Sequence, residues 1–340
     1  MQESPKTTDR DAVRQATGTG TGTGTSTVRI TTGSRLHFGL LDTAAPFGGV
    51  GVMIDQPVTE IVVRKSRRFQ SRTDETTAKV DADRIESVAV RAARVCGESA
   101  LPECEVRIAK RPPAHCGLGS GTQMSLALAE AITCVLDRHI GPESIVTQVA
   151  NRGKRSAVGS HGYFHGGLIY EEAADGSELN SVAERVEIPD VWRVAILRPT
   201  RATTLVSGEA ESQQFGLLPR APAQRRDELR SIITDAMLPA ARRQDFDAFT
   251  AAVHQYNHGS GELFQTVQGG PYNGPHVTQL VQWLVRQGVR GVGQSSWGPG
   301  VFAWFESESQ WLAFRDRIPP DVACVTVASV RNQGRERARD

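Results

Sequence analysis

Arg111-Pro112-Pro113-Ala114-His115-Cys116-Gly117-Leu118-Gly119-Ser120-Gly121-Thr122 is the stretch on which the reading of this chain turns. Ahead of it, Cys104, Val106 and Ile108 alternate with Glu105 and Arg107, the period of a strand. Behind it, Met124, Leu128, Ala131 and Val135 mark one apolar face of a helix that Gly141-Pro142 stops. Glycines at 117, 119 and 121 let the backbone approach an anion closely, and the following helix turns free N–H groups and its positive dipole end to the same place. Diphosphate is what such a loop holds best. The competing account is a tight strand-to-helix connection capped by Ser120 or Thr122, but three alternate glycines exceed what capping needs.

Outward from this loop, the alternations at Val28 to Thr31, Val50 to Ile54 and Val58 to Val63 predict paired strands. A helix is expected over Arg84 to Val95 and a strand over Gly167 to Glu171. In the second half, a strand is expected at Val191 to Leu197 and helices at Arg225 to Ala241, Phe246 to Tyr256 and His276 to Gln287. A glycine-rich turn follows at Gly291 to Gly300, then a strand at Val301 to Phe305. Mixed order without strict alternation predicts an α+β protein rather than a doubly wound sheet. The expected organisation is a disordered tail over 1–27, an N-terminal lobe over 28–182, a C-terminal lobe over 183–332 and a polar tail over 333–340. The Gly-Thr repeat of the first tail has neither the preceding strand nor the following helix that a phosphate loop requires.

The 340 residues carry 39 basic and 38 acidic side chains, a formal charge of +1, so no global field attracts nucleic acid or anionic membrane. A phosphate site must be local. No apolar run reaches the ~20 residues of a membrane span and no signal-peptide core is visible, so a cytoplasmic protein is expected. Cys96, Cys104, Cys116, Cys134 and Cys324 form no CxxC pair and read as reduced, buried thiols. His254, His258 and His276 lack zinc-site spacing.

Pro113-x3-Gly117-Leu-Gly-Ser-Gly-Thr122 resembles the Pro-x3-Gly-Leu-Gly-Ser-Ser signature of GHMP kinases, with Gly121 in place of the second serine. Two further blocks fit in order: Ser34 to Asp42 with Phe47 to Val52, and Gly291 to Gly300. The wording Arg35-Leu-His-Phe-Gly-Leu-Leu-Asp42, then Lys154 to Gly167, then Gly293-Gln-Ser-Ser-Trp-Gly-Pro299 resembles the β-ribofuranosylaminobenzene 5'-phosphate synthases of methanopterin biosynthesis. That resemblance implies the two-lobed GHMP kinase fold, with a ribosomal-protein-like N-terminal lobe and a ferredoxin-like C-terminal lobe. It implies condensation of phosphoribosyl pyrophosphate with 4-aminobenzoate or 4-hydroxybenzoate, releasing carbon dioxide and pyrophosphate.

On this reading Gly117, Leu118, Gly119, Ser120, Gly121 and Thr122 bind phosphate, and Arg35, His37 and Asp42 are the catalytic candidates. Arg155, Ser160, His161, Gly293, Gln294, Ser295 and Ser296 are the substrate-binding candidates. Mg²⁺ is the expected cofactor, reached through Ser120 or Asp42, and no organic cofactor is expected. The partners are small molecules, not nucleic acid or membrane, and a homodimer is compatible with the sequence. Ordinary roles stay open for several of these residues: Asp42 as a turn former, His37 as a structural histidine, Ser160 and His161 as loop residues after a glycine, and Arg155 with Lys154 as cations ending a helix. GHMP kinases place an aspartate near His161, Gly162 and Tyr163; without it, transfer of phosphorus to an alcohol lacks a proton acceptor. An ATP-dependent kinase and a non-catalytic sensor of a phosphorylated metabolite remain the alternatives.

Overall fold

The computed structural model describes residues 26–72, 78–114, 116–172, 179–201 and 209–340. The N-terminal tail lies outside them apart from Ser26 and Thr27, as do His115 and residues 73–77, 173–178 and 202–208.

The first lobe runs β1 (Thr27–Leu40), β2 (Gly49–Lys65), β3 (Gln70–Arg72), α1 (Ala78–Cys96), β4 (Cys104–Lys110), α2 (Ser120–Val135), α3 (Pro142–Ser144), α4 (Val158–His165), β5 (Leu168–Glu172) and β6 (Ser181–Val186). A π-helical turn, Ile145–Val149, continues α3. The two alternations read at 50–54 and 58–63 are halves of one strand. The first half of β2 pairs with β5 and the second with β4, and the change of partner falls around Gln56-Pro57. Proline has no N–H to give a ladder, so it sits where pairing lapses.

The second lobe runs β7 (Arg193–Pro199), α5 (Glu209–Gly216), α6 (Ala223–Ser231), α7 (Leu238–Arg242), α8 (Phe246–Glu262), α9 (Gln265–Gln268), α10 (Gly274–Arg286), β8 (Val292–Gln294), β9 (Val301–Phe305), α11 (Glu308–Arg315), β10 (Val322–Ala328) and β11 (Glu336–Arg339). The helix expected over Arg225 to Ala241 is α6 and α7 joined by a π-helical stretch, Ile232–Met237. Strands β10-β7-β9-β8 make a four-stranded antiparallel sheet.

Three cores hold these layers. Ile85, Val88 and Ala92 of α1 meet Ile132 of α2 and Ile61 and Val106 of the first sheet. That sheet's other face sends Leu36, Phe38, Val50 and Val52 into a cluster with Ile196, Phe249, Val253, Phe302 and Trp304 of the second lobe. Phe38 has no exposed surface and its ring lies 5.3 Å from that of Phe302, so the two lobes share one core. Truncating Phe38 to Ala should cost roughly 3–5 kcal/mol. A third cluster packs Leu280 and Leu284 of α10 and Trp311 of α11 on the outer face of the second sheet.

The sequence reading needs three corrections here. The polar segment at 333–340 is not a tail: β11 pairs antiparallel with β1, and Arg335 caps the buried Glu130 of α2. Its pairing is made by backbone and its ion pairs by arginines, so it carries no apolar period to read. Ser160 and His161 lie in α4 rather than a loop, and Lys154 and Arg155 lie in the connection before α4 rather than at a helix end. Of the five thiols, only Cys104 and Cys116 are buried, and Cys324 is exposed.

Candidate active site

Strand β1 supplies two side chains of opposite orientation to the core residues beside them. Leu36 and Phe38 point into the shared core; Arg35 and His37 line a cavity of about 910 Å³ on the other side. The ladder between β1 and β2 shifts register between His37 and Gly39, which leaves carbonyls of β1 to find other donors. Helix α8 provides them: Tyr256 donates to Gly39 O, Asn257 to Phe38 O and Ser260 to Leu40 O.

The glycine loop forms the cavity's floor, and all of Gly117 to Thr122 line it. Arg35 N–H donates to Leu118 O at 2.9 Å, tying the loop to β1. Gly117 has φ +73°, and a Cβ there would stand 2.0 Å from Ser295 O, so only glycine fits. Ser295 Oγ donates to Gly117 O at 2.7 Å and accepts the His37 N–H at 3.1 Å. Gly298 presses on the loop from above, where a Cβ would meet Gly117 N at 2.4 Å. Helix α2 begins at Ser120 after Gly119, whose missing side chain leaves the helix N–H groups uncapped and facing the cavity.

Around this floor stand Arg35, Lys79, Arg84, Arg111, Arg152, Lys154 and Arg155, seven cations against one lining carboxylate, Asp81, which is itself paired with Arg111. In a chain of net charge +1 this is a strongly localised positive field. Arg35 and Arg84 flank the loop: a Cβ on Gly119 would stand 3.2 Å from the Arg35 guanidinium and one on Gly121 3.5 Å from that of Arg84. Burial and the neighbouring Arg111 pull Arg84 below its ordinary range, opposed by Asp81. An arriving anion relieves that strain.

At the cavity's other end the surface is aromatic. Phe215 stacks on Trp297 with centroids 5.1 Å apart, Phe264 meets both edge-on, and the Arg155 guanidinium lies 4.4 Å from the Phe215 centroid. A cation over a ring face is a natural holder for a planar anion.

Of the residues singled out from sequence, Arg35, His37, Gly117 to Thr122, Arg155, Gln294 and Ser296 come together at this cavity. Gly293 and Ser295 support it from behind: a Cβ on Gly293 would strike Asn257, and Ser295 is the pin described above. Ser160 and His161 do not line it; His161 Nε2 is 2.6 Å from Asn180 O. Asp42 is also elsewhere. Its buried carboxylate accepts from Ala44 N, Ala221 N, Arg220 and Arg226, clamping the end of β1 to the start of α6. Asp42 is therefore structural, and the expectation that it faces a metal or the reacting carbon is withdrawn.

Sequence reasoning missed Lys79, Arg84, Arg111, Phe215, Asn257, Phe264 and Trp297 as lining residues. Lys79 and Arg84 come from α1, Arg111 from just after β4, Asn257 from α8, and Phe215, Phe264 and Trp297 from separate places along the chain, so no single local pattern joins them. It also missed Gln123, buried in α2, which accepts from Thr32 and donates to Gly159 O, fixing α2 against β1 and α4. Among the described residues, no group of three His, Cys, Asp or Glu side chains is placed to hold a metal, and no helix is long and apolar enough to cross a membrane.

Residues 86–167 match the GHMP kinases N terminal domain and residues 237–319 the GHMP kinases C terminal domain. The chain is 26% identical over 337 residues to the β-ribofuranosylphenol 5'-phosphate synthase of Archaeoglobus fulgidus, covering 91% of this chain and 99% of that protein. It is 27% identical over 298 residues to the protein of the same name from Methanothermobacter thermautotrophicus, covering 81% and 87%. Its fold is similar to the crystal structure of homoserine kinase from Cytophaga hutchinsonii, with a TM-score of 0.65, 16% identity and 93% and 98% coverage. Fold, loop and closing turn thus define a member of the GHMP kinase superfamily. Within it, the chain is similar along most of its length to proteins named β-ribofuranosylphenol 5'-phosphate synthase.

Proposed function

We propose that this protein transfers the phosphoribosyl group of phosphoribosyl pyrophosphate to a 4-substituted benzoate, with loss of carbon dioxide and pyrophosphate, as a step of methanopterin-type biosynthesis. The observation that carries the reading is the cavity itself: an anion-binding floor, seven cations and an aromatic end in one space. The names of the relatives favour a phenolic acceptor, 4-hydroxybenzoate, over 4-aminobenzoate.

The loop's N–H groups, with Arg84 and Arg35 beside them, hold the pyrophosphate and stabilise the charge it gains as its bond to the ribose breaks. Arg152 and Lys154, which line the same cavity, hold the ribose 5'-phosphate on this reading. The benzoate ring lies against Phe215, Phe264 and Trp297, with Arg155 at its carboxylate. The oxocarbenium-like carbon finds its counter-charge in the departing pyrophosphate and the acceptor's own carboxylate. Departure of the carboxyl group as carbon dioxide restores aromaticity without removal of a ring proton, so the protein's task is positioning and electrostatics.

For Mg²⁺ the cavity's one carboxylate among the described residues is Asp81, engaged by Arg111, beside neutral oxygen donors such as the Ser120 and Thr122 hydroxyls. A cation that keeps most of its waters and shares phosphate oxygens fits that sparse set, with Ser120 as its protein ligand. When bound it neutralises charge on the leaving group. A homodimer and a cytoplasmic location remain proposals compatible with this reading.

An ATP-dependent kinase would need a base for its acceptor alcohol, and Asp81 is the one lining carboxylate among the described residues. The test is a pyrophosphate-release assay. Phosphoribosyl pyrophosphate with 4-hydroxybenzoate should release pyrophosphate and ATP with small alcohols should yield no ADP; the reverse pattern would establish the kinase.

A further inference from the structure

We propose that Phe215 sets the acceptor specificity of the cavity: it holds the Arg155 guanidinium as a dedicated clamp for an aromatic carboxylate and keeps that cation from the phosphates of the other substrate. This rests on the phosphoribosyl-transfer reading above and deepens it by naming what separates the acceptor's charge from the donor's.

The cavity poses a selection problem. Its seven cations face two anionic substrates, one carrying a pyrophosphate and a 5'-phosphate, the other a single carboxylate. Charge alone favours the phosphates at every cation that can reach both. A carboxylate keeps a partner only where a cation is held in place by something other than charge.

Arg155 has such a holder. Its backbone lies in the connection before α4, outside any helix or strand. Among the described residues it is the one cation of the cavity that lies over a ring face, its guanidinium carbon 4.4 Å from the Phe215 centroid. Phe215, half-buried in the last turn of α5, is itself held on several sides. It stacks on Trp297 at 5.1 Å with 13° between the planes, and meets Phe264 and Phe47 edge-on at 5.4 and 6.3 Å. Trp297 is 8% exposed, and its carbonyl accepts from Asn273 Nδ2 at 3.0 Å. The carbonyl of Ser296 beside it accepts from Gln294 Nε2 at 2.7 Å. The clamp is thus anchored through two stacked rings to the glycine-rich turn of the second lobe.

Three properties follow from that anchoring. A guanidinium that rests on a ring still offers the N–H groups of its edge, the geometry a carboxylate takes in two parallel hydrogen bonds. Rotamer freedom that a loose arginine loses on binding is lost before the acceptor arrives. The surrounding rings exclude water, which strengthens a charge-assisted pair. Lysine offers none of this, because its compact ammonium has neither a planar face nor a fork.

Phe215 is also part of the wall against which the acceptor ring packs, so the test must separate wall from clamp. Two probes of nearly the same shape do so: 4-hydroxybenzoate and its neutral amide, 4-hydroxybenzamide. Their dissociation constants are measured by calorimetry on the full-length protein with magnesium pyrophosphate present, which occupies the loop without reacting. Wild type should bind the carboxylate roughly tenfold or more tighter than the amide, the gain of a charge-assisted pair. Phe215→Leu and Phe215→Met, which fill the space without a ring face, should each cut that preference by roughly five- to thirtyfold, the range of a cation–π contact from partly to fully desolvated. Phe215→Tyr should restore it. Arg155→Lys, which leaves the aromatic cluster intact, should lose the preference likewise, and Phe215→Leu added to it should remove nothing further.

Equal losses for both probes in the Phe215 variants would show a wall alone and overturn the clamp, as would full preference in Arg155→Lys or additive losses in the double variant. Wild-type protein without preference between the probes would overturn it as well. A protein that shows the preference and its loss in the variants, yet forms no pyrophosphate from phosphoribosyl pyrophosphate and 4-hydroxybenzoate, would overturn the transfer reading while the Phe215–Arg155 clamp held.

Discussion

Ser295 and Gly117 are 178 residues apart in sequence, yet Ser295 Oγ donates to Gly117 O at 2.7 Å and its own carbonyl stands where a Gly117 side chain would be. The turn of the second lobe is therefore part of the cavity floor that the glycine loop of the first lobe forms. The lobes cannot slide without disturbing the loop.

Ser295→Ala removes the donor to Gly117 O and the acceptor of the His37 N–H, leaving two buried backbone groups unsatisfied. A loss of about 1–3 kcal/mol per group is expected. Thermal unfolding should show the lower Tm, and steady-state kinetics a raised KM for phosphoribosyl pyrophosphate.

Replacing Gly119 with a bulky residue intrudes on the space between the loop and Arg35, and its φ of +66° disfavours any side chain. The KM for phosphoribosyl pyrophosphate should rise by tenfold or more, about 1.4 kcal/mol of lost binding. An unchanged KM would mean that the loop does not touch this substrate. Arg84→Ala should act in the same direction, with a shallower dependence of KM on salt than the wild type shows.

Asp42→Asn separates structure from catalysis. Burial tends to raise the Asp42 carboxyl, but hydrogen bonds from Ala221 N, Arg226, Ala44 N and Arg220 bring it below its ordinary value. A depressed carboxyl contributes stability above its unfolded pKa that is lost as pH falls through the folded value. The variant should unfold at a higher pH on acid titration and have a lower Tm at neutral pH, while kcat at a permissive temperature stays near wild type.

How much of this was legible in the sequence follows from what each part is made of. The glycine loop, its flanking strand and helix, the 291–300 turn and the α8 stripe of Phe249, Val253 and Tyr256 were readable, because glycine spacing and apolar period are local signals. Arg35 and His37 were readable as a pair on one strand. The cation ring was not: Lys79 and Arg84 come from α1, Arg111 from the end of β4, and Arg152, Lys154 and Arg155 from the link before α4. Asp42 looked like site chemistry because its neighbours in sequence are at the site, yet the chain turns away after Leu40 and Arg226 claims the carboxylate. Glu171 read as one strand residue among others, since burial decides its character and burial of a lone glutamate leaves no trace in sequence.

The same burial sets a stability prediction for Glu171. A carboxyl raised to about 7 in the folded state makes the protein lose stability as pH rises from the ordinary glutamate range to that value, since the unfolded chain releases its proton first. The effect is on the order of 3 kcal/mol for a shift of this size. The difference in Tm between Glu171→Gln and wild type should therefore grow in the variant's favour across that interval.

The account stands most directly on one assay: carboxyl-labelled 4-hydroxybenzoate, phosphoribosyl pyrophosphate and purified protein, with labelled carbon dioxide and pyrophosphate counted together. Equal molar release of both, dependent on phosphoribosyl pyrophosphate and not supported by ATP, is the predicted result. Pyrophosphate or ADP formed with the label retained on the ring would contradict it.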